Sequence, residues 1–217
     1  MGKKLVLEPI KDENLIVQFA EPVELTKDVY LTVPRQYKAY VYIDEKLELI
    51  AKTCVEAKIY ELLSKDKSYL KKQIQVAFVN TLFPRILWGV GDVQVKNDKL
   101  EQAYRVGANG ECVFEVVNDR AFINSFKFGS SITLDDIKKR VLSSLQMTAM
   151  DALSSLFAGT EISVFEMTAN TEEMRDKIVD KINDENIVKD MGIKVNSLTA
   201  KIFIPEEDLL RIKNAIG

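Results

Sequence analysis

Residues 104–117 have the sequence YRVGANGECVFEVV, and this stretch decides the fold of the chain. Apolar or small residues occupy every second position from Tyr104 to Val116, and the positions between them are mostly polar. Such an alternation is typical of a β-strand with one buried face, and here it is sustained long enough to make this the strongest strand prediction in the chain. Gly107 and Gly110 permit a bulge or a bend within the strand.

A long amphipathic helix is predicted to follow this strand. A polar turn at residues 118–122 comes first, and apolar residues then repeat every three or four positions between Leu134 and Leu156. Thr133 is the predicted N-cap of this helix, because a side-chain hydroxyl there can accept a hydrogen bond from the first turn. The helix is expected to end near Gly159.

The remaining elements alternate between strand and helix. A short strand near Ile162 precedes a second helix, which begins near Asn170 and is closed by Gly192 as a left-handed stop. A strand over residues 198–204 and a helix that starts at Pro205 complete the series. This order predicts an α+β fold in which a small antiparallel sheet packs against two helices.

The first half of the chain is predicted to be rich in β-structure. Polar residues at 44–46 indicate the turn of a hairpin, and residues 51–63 have the composition of a helix without a clear stop signal. Phe83 with Pro84 and the glycines of residues 88–91 indicate turns. The expected strands are residues 15–19, 29–33, 39–43, 47–50, 93–95 and a strand whose better-buried face holds Ile74, Val76 and Phe78.

The chain length suits one large domain or two small ones. Its 217 residues are enough to bury roughly 70% of the surface that the unfolded chain exposes. The polar residues 96–99 mark an approximate boundary between two subdomains. We therefore expect a β-rich first subdomain over residues 1–98 and a sheet-plus-helices second subdomain over residues 99–217.

The overall charge is close to balanced. Lys and Arg total 30, Asp and Glu total 33, and the net charge is −3, so the chain has no general attraction for nucleic acid, which we do not expect as a partner. No stretch of about 18 uncharged apolar residues occurs that could cross a bilayer as a helix. We expect a cytoplasmic protein that meets a membrane only peripherally, from its inner face or through a partner.

The residue types that usually carry catalysis are scarce. The chain has no histidine, which removes the commonest general base and metal ligand, and excludes Ser-His-Asp and Cys-His sites. The two cysteines, Cys54 and Cys112, lack the spacing of a metal site. A disulfide between them is one interpretation, and two buried free thiols in a reducing cytosol is the favoured one.

Adjacent carboxylates and basic runs have structural interpretations that compete with functional ones. Each acidic pair lies where a helix is expected to begin, so helix-start charge is favoured over acid–base chemistry or a cation site. The GxG of residues 88–91 lacks a following helix start and is interpreted as a turn. Two basic runs could contact phosphates, and the one within the long helix is interpreted as part of the solvated face of that helix. The acidic pairs are Asp135-Asp136, Glu172-Glu173 and Glu206-Glu207, and the basic runs are Lys71-Lys72 and Lys138-Lys139-Arg140.

The ordered set of motifs resembles the SPFH (band 7, prohibitin, stomatin, flotillin) domain over roughly residues 39–216. Residues 104–122 are similar to its strand and Asp–Phe turn, residues 134–156 to its long helix, and residues 202–207 to its closing strand and Pro-Glu-Glu corner. Within the family, residues 76–81 together with Phe83-Pro84 and Trp88-Gly89 resemble a soluble bacterial branch labelled "virion core protein".

The resemblance implies a non-enzymatic scaffold that associates with itself and recruits cytosolic proteins, often as a ring or cage at a membrane surface. It implies no catalytic, cofactor-binding or metal-binding residues and no cofactor. Two departures from the family pattern are residues 51–54, where a Gly-Pro-Gly-like turn is usual, and the end of the sequence at Gly217, where members usually continue into a coiled coil. A monomeric lipid- or ligand-binding module is the alternative function, and a carboxylate-based hydrolase is the least favoured.

Overall fold

The computed structural model describes residues 4–96, 103–157 and 171–216. Its strands are β1 (Leu5–Leu7), β2 (Leu15–Phe19), β3 (Val23–Glu24), β4 (Val29–Val33), β5 (Tyr37–Ile43), β6 (Lys46–Ala51), β7 (Val55–Lys58), β8 (Gln73–Asn80), β9 (Ile86–Lys96), β10 (Ala103–Val116), β11 (Ile132–Thr133), β12 (Ile193–Leu198) and β13 (Lys201–Phe203). Its helices are α1 (Ile59–Leu62), α2 (Asp119–Asn124), α3 (Leu134–Phe157), α4 (Thr171–Asp184), α5 (Asn186–Asp190) and α6 (Glu206–Ile216). The α+β class predicted from the sequence is confirmed.

The chain divides into two compact units. The first contains Met1–Pro84 and Ile123–Ile137, and the second contains Arg85–Phe122 and Lys138–Gly217. Strand β9 belongs to the second unit because it pairs with β10 over most of its length, whereas the predicted subdomain boundary assigns it to the first. That boundary, between residues 98 and 99, lies outside the described residues.

The first unit is built on two sheets that share one core. The larger sheet has the strand order β11-β2-β8-β5-β6, with β3 also paired to β8, and the smaller has the order β1-β4-β7. Alternate residues of β5 and β8 point into this core, among them Val41 and Val76, together with Leu31 of β4. Ile74, Val76 and Phe78 lie on the better-buried face of β8, as predicted. Ala77 and Val79 on its other face are also buried, because β8 is central to its sheet.

Two predictions in the first unit have clear outcomes. The β5–β6 hairpin is confirmed, and its turn residues Asp44 and Glu45 adopt left-handed conformations with φ of 50° and 64°. The segment 51–63, which is ambiguous from the sequence although its composition suits a helix, forms β7 and the single turn α1. Strand β7 forms there because it pairs with β4 along residues 55–58, so tertiary pairing overrides local propensity.

Strand β10 is the centre of the sheet in the second unit. It pairs with β9 along one edge and with β12 and β13 along the other. The predicted alternation is confirmed, since Tyr104, Val106, Cys112 and Phe114 are all buried. The pairing with β9 shifts register between Val106 and Ala108, where the sequence predicted that glycine permits a bulge.

Three predictions for the second unit are corrected. Residues 88–91 do not form a turn but lie inside β9, where Trp88, Gly89 and Val90 pair with residues of β10. The turn 118–122 contains the start of α2, whose Ala121 N–H donates to the Asn118 side chain at 3.1 Å. The strand expected over 198–204 begins earlier, at Ile193, and is interrupted opposite Gly110.

The helices follow their sequence signals closely. Thr133 and Asp136 form a reciprocal cap at the start of α3, with the Thr133 N–H donating to Asp136 at 2.9 Å and the Asp136 N–H donating to the Thr133 hydroxyl at 3.3 Å. Gly192 has a φ of +64°, as its predicted role requires, although the second helix is interrupted at Glu185 and so forms α4 and α5. The predictions at Gly159, Ile162 and Asn170 lie outside the described residues.

Candidate interaction surfaces

The acidic pairs singled out from the sequence all lie in the first turns of helices. Asp135 and Asp136 begin α3, Glu172 and Glu173 begin α4, and Glu206 and Glu207 begin α6. The three pairs therefore lie at the starts of three different helices, where a negative charge interacts favourably with the helix dipole. Within residues 4–96, 103–157 and 171–216, no group of three Cys, Asp or Glu side chains is arranged to hold a metal ion.

Asp208 is the acidic residue of α6 that the structure buries. Its side chain is 1% exposed and accepts from the Arg105 guanidinium at 2.7 Å and from the Arg105 backbone N–H at 3.2 Å. Arg211 donates to its second oxygen at 2.9 Å. The carboxylate thus satisfies a backbone donor of β10 and ties the start of α6 to that strand, so this side chain is an anchor of the fold.

The electrostatics of this anchor agree with its geometry. Hydrogen bonding to Arg105 lowers the pKa of Asp208 below its ordinary value, since those bonds favour the ionised form. The same bond, together with one to Glu207, raises the pKa of Arg105. The pair is therefore ionised at neutral pH and has a structural role.

The two cysteines are free thiols in different surroundings. Cys112 is fully buried in β10, and burial raises its pKa to about 12, which makes it unreactive. Cys54 is exposed and has a φ of 61°, so the expectation of two buried thiols is wrong for this residue. It lies in the short bend between β6 and β7.

Both basic runs lie at the surface, as was predicted for the run in the long helix. Lys139 and Arg140 are exposed on α3, and Lys71 and Lys72 are exposed before β8. Lys72 pairs with Asp44 at 3.5 Å, an ion pair between two well-exposed side chains. Such a pair contributes little to stability.

A methionine face on α3 is the first interaction surface that the structure adds. We define it as Ser143, Met147, Met150 and Ser154, which follow one another at helical spacing on the exposed side of the helix. Met147 is 68% exposed and Met150 is 44% exposed. Sequence reasoning followed the buried stripe of α3 and missed this face, although both methionines fall outside that stripe.

A lysine–tyrosine patch in the first unit is the second surface. We define it as Lys4, Val6, Tyr30 and Lys58, of which the last three are cross-strand neighbours on β1, β4 and β7. The Lys4 and Lys58 ammonium groups lie 4.3 and 5.4 Å from the centre of the Tyr30 ring. Val6 beside them is 40% exposed. The hydrogen bond with Tyr30 raises the pKa of Lys58, which keeps this side chain cationic.

None of the helices in the described parts of the chain is long and apolar enough to cross a membrane.

A search of curated proteins gives no match. The model of the SPFH domain-Band 7 family matches residues 67–216, more than two thirds of the 217 residues. The matched region contains the β10 strand, the α3 helix and the Pro-Glu-Glu corner on which the resemblance was based. The chain therefore belongs to the SPFH domain-Band 7 family.

Proposed function

We propose that this protein is a non-enzymatic scaffold that associates with copies of itself and organises partner proteins at the cytoplasmic face of a membrane. Family membership supports the general role, because SPFH domains are scaffold-type, membrane-associated modules. The resemblance of residues 76–81 and their neighbours further suggests the soluble bacterial branch labelled "virion core protein". The observation that carries the proposal is the methionine face, an apolar strip left exposed on an otherwise well-packed helix.

The methionine face has the chemistry of an adaptable contact surface. Methionine is flexible and polarizable, so it packs against surfaces of different shape. The serines at either end of the face are small and allow another element to approach the helix closely. Two exposed side chains bury only a modest area, so we expect each contact to be weak and an assembly to depend on many of them.

Substitution of the face with charge is expected to abolish self-association. In Met147→Glu with Met150→Glu, a contact between copies would have to bury carboxylates without partners, which costs more than the lost apolar area. Sedimentation velocity of the 24.6 kDa chain over a concentration series measures this directly. The matched control is Leu210→Glu, which adds an acid at an exposed apolar position of α6, 54% exposed, outside the face.

The expected result is a monomer for the double variant at every concentration, with the control indistinguishable from the unmodified chain. Equal association of the double variant and the unmodified chain would remove the methionine face from the proposal. A loss of association in Leu210→Glu as well would point to a general effect of charge.

The lysine–tyrosine patch supports the membrane part of the proposal. Lysines are attracted to anionic headgroups, and tyrosine and exposed aliphatic side chains partition to the bilayer interface. Asp28 pairs with Lys58 at 3.7 Å, but both side chains remain partly exposed, so the positive charge is only partly offset. Binding should therefore be weak for one copy, dependent on salt and strengthened by assembly.

Removing the two lysines of the patch is expected to weaken vesicle binding. Each lysine near an anionic surface contributes about 1 kcal/mol, so Lys4→Gln with Lys58→Gln should reduce the partition coefficient by roughly thirty-fold. Co-sedimentation with vesicles that contain phosphatidylglycerol measures it, with phosphatidylcholine vesicles as the neutral comparison. Lys201→Gln with Lys213→Gln removes two exposed lysines of the second unit and should change nothing. Equal losses in both double variants, or no binding of the unmodified chain, would refute direct contact through the patch.

A further inference from the structure

The first unit contains a groove that neither proposed surface uses. It has a volume of about 280 Å³, and we call it the aromatic groove. Residues of β5, of β8 and of the β5–β6 turn line it, together with Pro22 directly before β3 and Phe128 in the segment before β11. The residues that line it are Pro22, Tyr42, Asp44, Glu45, Gln73, Ile74, Gln75 and Phe128.

One wall of the aromatic groove is a cluster of rings. Phe128 packs edge-to-face on Tyr42 with ring centres 4.8 Å apart, and on Phe19 with centres 5.3 Å apart. The interplanar angles of 75° and 71° lie in the edge-to-face range that aromatic pairs prefer, so the three rings pack favourably on one another. Phe128 is nevertheless 37% exposed, an unusual position for a phenylalanine that belongs to a packed cluster.

The rim of the groove is acidic. Asp44 and Glu45 form the turn of the β5–β6 hairpin, and their left-handed conformations fix where the two carboxylates leave the backbone. Glu45 is exposed, and the ion pair of Asp44 with Lys72 is long, at 3.5 Å, between side chains that are 62% and 43% exposed. An incoming cation can replace Lys72 there at little cost, because such a surface pair contributes little stability.

Aromatic faces and carboxylates at one site attract the same kind of ligand. A ring face attracts a cation through its quadrupole, and a carboxylate forms charge-assisted hydrogen bonds with ammonium and guanidinium groups. An anion would be repelled by Asp44 and Glu45, and a purely apolar ligand would gain nothing from these two carboxylates. The volume lies just below the range for small-molecule pockets, so it suits one side chain.

We propose that the aromatic groove binds a lysine or arginine side chain presented by a partner protein, with the aliphatic stem against Tyr42 and Phe128 and the charged end at Asp44 and Glu45. This proposal rests on the proposed recruiting role of the scaffold, and it does not require self-association. It predicts that partners carry a basic residue in an accessible loop or tail.

Titration with short peptides, followed by NMR, tests the proposal on the intact chain. The probes are acetyl-Gly-Gly-Arg-Gly-Gly-amide and its lysine form, with a norleucine form that keeps the stem and lacks the charge. The two basic peptides should shift the ring signals of Tyr42 and Phe128 with millimolar affinity. The norleucine peptide should bind about ten-fold more weakly, because it lacks the cationic interactions.

Two variants and a matched control locate the site. Asp44→Asn with Glu45→Gln should weaken the basic peptides by about ten-fold or more while preserving the turn, because asparagine tolerates a left-handed conformation. Phe128→Ala should weaken all three peptides. Asp12→Asn with Glu13→Gln, another adjacent acidic pair of the same unit outside the groove, should leave binding unchanged.

The outcomes separate this proposal from the scaffold function. No shift of groove signals at about 10 mM peptide, or equal binding of the norleucine and basic peptides, would overturn the groove proposal even if the chain self-associates. Selective binding of the basic peptides that is lost in the Asp44 and Glu45 variant would support it even if the chain stays monomeric.

Discussion

Gly110→Ala is expected to destabilise the second unit by about 3 kcal/mol, a value at the upper end for an overpacked site. A methyl group at this position of β10 would overlap the carbonyl oxygen of Thr199 in the chain that crosses beside it, and it would also lie 3.2 Å from the Trp88 indole nitrogen. The first neighbour is backbone, held by the Thr199 N–H donating to the Glu111 carbonyl oxygen at 2.8 Å. Relief therefore requires the strands to move apart.

Thermal unfolding followed by circular dichroism measures this effect. A loss of 3 kcal/mol corresponds to a Tm lower by roughly 6 to 12 °C for a chain of this size. Gly91→Ala is the matched control, because its methyl group would meet no atom within 4 Å and Gly91 also lies in a strand of the same sheet. The control should stay within about 0.5 kcal/mol of the unmodified chain. Equal melting of both variants would contradict the close crossing at Gly110.

Asp208→Asn is expected to destabilise the protein by roughly 2 to 3 kcal/mol at neutral pH. The neutral amide is a weaker acceptor than the buried carboxylate for the guanidinium groups of Arg105 and Arg211 and for the Arg105 backbone N–H. The neighbouring substitution Glu207→Gln provides the control. Glu207 accepts a hydrogen bond from the Arg105 guanidinium at 2.8 Å, but its side chain is 83% exposed, so this contact is not buried. An exposed pair of this kind is worth about 0 to 1 kcal/mol, so the two variants should differ clearly in Tm.

The pH dependence gives a second readout of Asp208. Its folded-state pKa is lowered, chiefly by hydrogen bonds from Arg105, so its contribution is fully present above the unfolded-state value, about 3.9 for an aspartate. That contribution is lost as the pH falls through the lower folded-state pKa. The stability difference between the unmodified chain and Asp208→Asn should therefore be large at neutral pH and shrink below about pH 4. A difference that does not depend on pH would mean that the ionised carboxylate is not what anchors α6.

The parts of the fold that were predicted correctly are those with local signals. The alternation that defines β10, the cap that Thr133 gives α3 and the turn at Asp44 and Glu45 all depend on residues close in sequence. Each of these signals has one dominant physical cause, such as the period of a strand or the unpaired donors of a helix start. Contacts with distant parts of the chain therefore did not change these three local structures.

The parts that sequence reasoning missed depend on pairing with distant segments. The glycines of residues 88–91 suggested a turn, yet Gly89 lies in β9 opposite Asn109 and accepts a hydrogen bond from the Gln146 side chain at 2.9 Å. A glycine is tolerated in a strand when another group approaches its backbone in this way. Segment 51–63 shows the same effect, because pairing with β4 made part of it a strand.

The interaction surfaces differ in how much the sequence could reveal. The methionine face had a local signal, because Met147 and Met150 lie outside the apolar stripe of α3. The aromatic groove had none, since Tyr42 and Phe128 are far apart in the chain and meet only through the folding of the first unit. The anchor at Asp208 was seen only as charge at a helix start, and its partner Arg105 lies on a different element.

The molar mass of the unmodified chain in solution tests the central claim most directly. Light scattering over protein concentrations from about 10 µM to 1 mM covers the range in which weak lateral contacts become populated. We expect the average mass to rise above 24.6 kDa as the concentration increases, and to fall back on dilution. A mass that stays at the monomer value throughout this range would contradict a self-associating scaffold.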